Sequence, residues 1–457
     1  MAPITLPLEI EESTDETSEE DDDSSPGCDC LNVGCVPAIS NFSIQYNYAC
    51  AGIATMIMTS HDDQTGRNIT PDFREPHWAK QYLLDMVFTG SVVGMVVMGY
   101  LGDLIGIPRA LFLTNLCTVL GALASALFSF GNADTVWIVI AVSRFILGAG
   151  VGGNYPLSAA KASESTPTAK EAANKAAGAF FWQGPGSCAP YLVALLLLLL
   201  PSSGYRTSLQ FRLMLGLGAL PSLVVLLASA REDHKRPLVS NNKSRELKLT
   251  FSDPSYAIKL LGAAGTWLLF DVAFYGTVIF APSIMKDVFG DDLPLQGVAL
   301  SMALMSALGI LGTVAGIVAV HYIGPKLLTS VGLACGAIIY ATFALLHWLR
   351  PTYHNTQFAL LLLLNFTMFG GPNLGTFLLP VVSFPRRVRS TFHGIASAAA
   401  KVGAMTGVAL FPQVVEHYGH QNGAGAVMVT QSLICFAGAA LCHFTLEHRG
   451  LEDEAED

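Results

Sequence analysis

Residues 148–165 read GAGVGGNYPLSAAKASES. A glycine run of this kind either cradles a phosphate at a helix start or lets two helices touch. A phosphate loop needs Lys and Ser/Thr straight after its last glycine, between a strand and a helix. Here Asn154, Tyr155 and Pro156 follow instead, and the run lies inside a long apolar stretch. The spacing therefore predicts a helix whose small residues admit a close neighbour.

That stretch is one of about twelve apolar spans, read at 36–58, 80–102, 110–130, 135–158, 173–200, 207–230, 256–283, 296–321, 326–348, 357–380, 390–413 and 424–445. Each is near the roughly 20 residues a helix needs to cross a bilayer, and a membrane strand is about half that length. Apolar types make up 52% of the 457 residues and charged types 13%, against roughly 25% charged in soluble domains. The chain reads as an all-α membrane protein.

Charge is unevenly spread. Residues 1–35 hold eleven acids and no Lys or Arg, and 452–457 hold five more, so the net −10 comes from the tails and the middle is net basic. The reading divides the chain into a disordered acidic cytoplasmic tail (1–35), a six-helix bundle (36–230), a basic cytoplasmic linker (231–255), a second six-helix bundle (256–445) and an acidic tail (446–457). Ser13, Thr17 and Ser18 sit in acidic contexts and suit a kinase. Cys28, Cys30 and Cys35 offer palmitoylation sites, with unmodified thiols the plainer reading. No basic secretory signal opens the chain. With the N-terminus inside, Arg109, Lys170, Lys175, the linker, Lys326, Arg386, Arg387 and Arg389 fall on inner loops, so positive-inside places both termini in the cytoplasm. Asn68 of Asn-Ile-Thr then lies outside, as a glycosylation candidate.

Nothing points to an enzyme, a metal site or a cofactor: no HExxH pair, Cys/His nucleophile arrangement or cluster of catalytic carboxylates is found. The basic stretch 231–253 is short and explained by topology, so nucleic acid is not an expected partner. The halves echo each other at an offset of 218 residues, which aligns IGIPRALFLTNL (105–116) with IGPKLLTSVGLA (323–334) and Gly152-Gly153 with Gly370-Gly371. Two parallel repeats put a substrate site between them at the midplane.

GYLGDLIGIPRAL (99–111) resembles the loop motif of the major facilitator superfamily, with Leu104 and Ile107 where basic residues are usual. Arg144, followed by Gly148, Gly150 and Gly152, resembles that superfamily's fourth-helix pattern. GGNYPLSAAKASE (152–164) is similar to the signature of its phosphate:proton symporter family. The match continues through FFWQG (180–184), GTWLLFDVAFYG (265–276), FGGPNLGTFLLP (369–380) and FPRRVRSTFHGIASAAAKVGA (384–404). The resemblance spans 36 to 445. It implies the major facilitator fold, with transport of inorganic phosphate by alternating access in the lipid bilayer, and by family prior the plasma membrane.

Ionisable groups inside membrane spans are expensive and functional by default. Asp271 has Trp267 and Tyr275 one turn to either side on its own helix face. Lys401 lies in an otherwise small, apolar helix and needs an anion, either Asp271 or the substrate. A purely structural ion pair is the plain alternative, as core packing is for the two aromatics. By resemblance, Tyr155, Gln183, Trp267, Asp271, Tyr275, Asn373 and Lys401 bind phosphate. Donors surround one acceptor, Asp271, which is also the proton-coupling candidate; that mixture suits a protonated tetrahedral anion. Asp103 and Arg109 suit a charge-paired gate, Arg144 has a gating or structural role, and Glu164 pairs with Arg386, Arg387 or Arg389 at an inner gate.

Four acids of the family pattern are absent: Ile44, Asn47, Asn154 and Val382 stand in their places. Asn has nearly the shape of a protonated Asp but does not titrate. Coupling to protons is therefore open, with uniport, exchange or another ion as alternatives. A glycerophosphodiester or other organic anion as cargo, and a phosphate-sensing receptor, are the competing functions.

Overall fold

A computed structural model describes residues 35–59, 73–76, 78–164, 166–199, 204–233, 243–278, 294–350 and 352–446. The expectations for Ser13, Thr17, Ser18, Cys28, Cys30 and Asn68, most of both tails, and residues 234–242 of the linker fall outside these residues.

Helix dominates the described chain. Its elements are α1 (Val36–Met58), α2 (Ala79–Ile105), α3 (Ile107–Leu127) and α4 (Ala133–Ala162), then α5 (Ala169–Leu198) and α6 (Thr207–Glu232). A short helix α7 (Lys243–Ser252) precedes α8 (Pro254–Val278). The long segment Leu295–Leu349 breaks at Gly324 into α9 (295–323) and α10 (325–349). The chain ends in α11 (His354–Ser383), α12 (Arg389–Gly419) and α13 (Asn422–Thr445). Ten segments are long and apolar enough to cross a membrane. One of them is the α9–α10 pair, and α1, diluted by Asn41, Ser43, Gln45 and Asn47, completes the twelve expected spans. Large apolar side chains such as Leu120, Leu196, Leu199 and Leu311 face outward, as a lipid-facing surface requires.

Local chemistry starts and stops these helices. Asn132 caps α4 by accepting the Thr135 N–H at 2.9 Å, and Thr168 caps α5 by accepting from Glu171 N at 3.2 Å. At the entrance to α8, the Asp253 carboxylate accepts the Ser255 N–H at 2.9 Å, which holds its pKa below the ordinary value. Gly106 and Gly324, 218 residues apart, both adopt positive φ (98° and 72°) between consecutive helices. Each precedes a proline-initiated helix, so the internal repeat extends to backbone conformation. In α11 the run FGGPN (369–373) winds as one π-turn, because Pro372 has no N–H to give the preceding turn.

The glycines of the opening stretch serve helix contact. Gly148 and Gly152 lie against the backbone of Val87 and Ser91 on α2, while Gly150 meets Thr118 on α3. Gly153 meets Met98 of α2, with its missing Cβ 2.7 Å from Met98 Cβ. α4 is thus wedged between α2 and α3. The second half repeats the device: Gly312 and Gly316 of α9 touch Phe366 and Gly370 of α11.

Candidate functional site

Two further glycines build the centre. Gly403 and Gly407 on α12 rest on the backbone of Leu268 and Val272 on α8. This close approach sets Lys401 beside Asp271. The Lys401 ammonium donates to Asp271 Oδ2 at 3.0 Å and to the Tyr275 hydroxyl at 2.9 Å. Both charged residues are at most 2% exposed. The ammonium also faces the rings of Tyr275 (4.3 Å), Tyr48 (5.4 Å), Tyr155 (5.5 Å) and Phe88 (5.8 Å). Of these, Tyr48, Phe88 and Tyr155 come from α1, α2 and α4, so the two halves meet on one cation.

A polar string leads away through the first half. Gln45 donates to the Tyr155 hydroxyl at 3.2 Å and to Gln183 Oε1 at 2.8 Å. Gln183 donates in turn to Asn41 Oδ1 at 2.7 Å, and Asn41 donates to Ser158 Oγ at 3.2 Å. Below the ion pair lies an aromatic layer. Tyr155 packs edge-on to Trp267 at 6.2 Å, and Phe377 sits 6.4 Å from Tyr155, 6.5 Å from Trp267 and 5.1 Å from Phe180.

Of the seven expected substrate residues, Tyr155, Gln183, Trp267, Asp271, Tyr275 and Lys401 are joined by these contacts. Asn373 is half-buried at the end of the π-turn, one helical turn before Phe377. Gln45, Tyr48 and His393 were not singled out from sequence. Asn41, Gln45 and Tyr48 recur at spacings of four and three, one face of α1, which is the signal that was there to find. His393 stood inside a quoted motif but looks like any core histidine.

The end of the bundle carrying Asp103 is closed. Asp103 Oδ2 accepts from Thr391 N and Thr391 Oγ1, each at 2.7 Å. Val388, the N-cap of α12, supplies no side-chain acceptor, so a carboxylate from the other half caps that helix. Gly99 and Gly102 of α2 fit against Ser390, and Gly394 lies against Met95. Glu164 pairs with Lys161 at 2.9 Å, Lys161 also reaches Glu232 at 2.5 Å, and Arg389 donates to Ser163 Oγ at 3.0 Å. Arg109 lies two residues into α3, just past the Gly106 turn that follows Asp103.

The positions where acids were expected look elsewhere. Asn47 donates to Ser43 O and Gly218 O, a double donation that a carboxylic acid cannot make. Asn154 forms a reciprocal amide pair with Asn115 at 3.1 and 3.3 Å. Ile44 is buried and Val382 half-buried. Arg144, 1% exposed, donates to Asn47 O at 3.1 Å and Cys50 Sγ at 3.3 Å and meets no carboxylate among the described residues.

Twelve helices around an inter-half centre define a membrane transporter, and a family model for the Major Facilitator Superfamily matches residues 47–408. The chain belongs to that superfamily. Its fold aligns with the proton:xylose symporter XylE bound to 6-bromo-6-deoxy-D-glucose (TM-score 0.71, 15% identity, 93% of this chain and 96% of that one). It also aligns with FucP in its outward conformation (TM-score 0.63, 13% identity, 90% and 99%). Within the superfamily the chain belongs to the family of the inorganic phosphate transporter PT2 of Toxoplasma gondii. The two are 32% identical over 421 residues, 90% of this chain and 71% of PT2. Inorganic phosphate transporter 1-6 of Oryza sativa subsp. japonica is 29% identical over 434 residues, 81% of this chain and 80% of that one. This is an integral, multi-pass membrane protein.

Proposed function

We propose that the protein transports inorganic phosphate across its membrane by alternating access, with Lys401 and Asp271 as the core of the substrate site. The observation that carries this is the buried ion pair at the junction of the halves. An ammonium and a carboxylate there, ringed by Tyr155, Tyr275 and Trp267, offer donors to phosphate oxygens and one acceptor for its proton. Phosphate binding exchanges one anionic partner of Lys401 for another, so the cation is never left uncompensated. Gln183 and Asn373 extend the donor set by amide N–H. The names of the relatives support phosphate as cargo.

The Asp103 end faces the cytoplasm in this reading. Closure there and re-opening after substrate binding is the rocking of one half on the other, with Asp103, Arg109, Glu164 and Arg389 holding the closed state and Arg144 bracing α4 against α1 away from that end. Asp271 is the titratable group available to couple a proton, since Asn47 and Asn154 are committed to amide bonds. Phosphate–phosphate counterflow in proteoliposomes tests the cargo. Labelled phosphate accumulates against unlabelled internal phosphate if the reading holds, and excess glycerophosphocholine outside leaves it unchanged. Counterflow driven by internal glycerophosphocholine but not by phosphate overturns it.

A further inference from the structure

His393 is buried on α12, two turns before Lys401. Its Nε2 lies 3.1 Å from Phe377 O. A carbonyl only accepts, so Nε2 carries a proton and donates it, and Nδ1 is left as the free lone pair. That Nδ1 is buried with no hydrogen-bond partner. The ring is clasped edge-on by Trp267 at 5.5 Å and by Phe377 at 5.1 Å, the same rings that form the layer beneath the ion pair. The next residue, Gly394, is pressed against Met95 of α2. A titratable ring with one dry nitrogen therefore sits between the substrate centre and the Asp103 closure, behind two rings on which Tyr155 of the opposite half packs.

Charges around it are few. On its own helix, Arg389 lies one turn earlier, turned to Ser163 Oγ and Phe384 O. On α8, Asp271 lies one turn past Trp267 and is tied to Lys401. On α2, Asp103 is held by Thr391. α4 contributes Tyr155 behind Phe377 and Lys161 toward its end, and the facing stretch 374–383 of α11 has no titratable residue. Among the described residues, no carboxylate meets Nδ1 in the closed state.

We propose that His393 is a second proton-binding residue of the transport cycle, making closure of the Asp103 end depend on the pH of the compartment that end faces. This rests on the transport reading above. When α2 and α4 part from α12 and α8, water reaches Nδ1 while the Nε2–H bond to Phe377, made within one half, persists. Nδ1 then takes a proton from that water. The imidazolium has no acceptor to bury against, and an unpaired buried charge is costly. The end recloses only after Nδ1 returns its proton to the same water, so an acidic compartment holds it open.

The test is initial phosphate uptake into phosphate-free proteoliposomes with the Asp103 end inside, at fixed external pH, as internal pH falls from about 7.5 to about 5.5, across the ordinary histidine range. The wild-type rate is expected to fall by about fivefold to tenfold over that range, as most imidazole becomes charged below its ordinary pKa. His393→Gln, which keeps an N–H for Phe377 O, is expected to lose this dependence while still transporting. A wild-type rate indifferent to internal pH, or the same slope in His393→Gln, overturns the proposal. No uptake by folded wild type at any pH sinks the transport reading instead. The ring pair then supplies an independent readout in detergent, which also serves if His393→Gln fails to fold. Acidification should quench wild-type tryptophan fluorescence over the same range, and Trp267→Phe should lack that component; a wild type without it overturns the proposal.

Discussion

Lys401 and Asp271, proposed as the core of the substrate site, are also a buried ion pair, so their roles in stability and in binding can be separated. Removing one partner of a buried pair strands the other charge, at a cost of about 3–5 kcal/mol. Lys401→Met should therefore melt early, measured by thermal unfolding in detergent. Lys401→Met combined with Asp271→Asn removes both charges and should recover most of the loss, since a buried pair and a neutral replacement are often comparable. Neither variant should bind phosphate. If the double variant binds as wild type does, the pair is packing and not the site. Sequence made this pair legible because charge inside an apolar span stands out at once. It did not make Gln45 or His393 legible. Gln45 matters because it bridges Tyr155 and Gln183, partners 110 and 138 residues away along the chain, and no local pattern encodes such a meeting. Asn47 and Asn154 were identified as departures, but their amide bonds to Gly218 and Asn115 required the packing of α6 and α3 to be known.

At the scale of elements, glycine position decides how close helices come. A Cβ on Gly152 would meet the backbone of Ser91, whereas one on Gly178 of α5 would meet nothing within 4 Å. Gly152→Ala should destabilise by about 1–3 kcal/mol through forced separation of α4 from α2. Gly178→Ala should instead stabilise by roughly 0.5–1 kcal/mol, because alanine loses less backbone entropy in a helix. Opposite signs in the two melting curves support this account of α4, and equal effects contradict it. The membrane-spanning helices were readable from apolar length, whereas the polar α7, read as part of the linker, was not. The two that run together as Leu295–Leu349 were separable in sequence because Gly324-Pro325 repeats the Gly106 turn at the 218-residue offset. The π-turn at 369–373 was not readable, since Pro372 inside an apolar run signals a break without saying which kind.

Over the whole molecule, the ion pair lies where six spans meet six, with the Asp103 end sealed by a carboxylate capping a helix of the opposite half. Lys401 donates within the second half and touches rings of the first, so any relative motion of the halves changes its surroundings. That is the property a carrier needs, and it is why replacing one buried lysine should abolish flux while leaving the lipid-facing surface intact. The most direct measurement is radiolabelled phosphate uptake into proteoliposomes, with and without an inward proton gradient, for wild type and Lys401→Ala. The account predicts saturable wild-type uptake and none above empty liposomes for Lys401→Ala. Acceleration by the gradient, lost in Asp271→Asn, identifies Asp271 as the coupling group. Equal phosphate uptake by wild type and a folded Lys401→Ala would contradict the central claim.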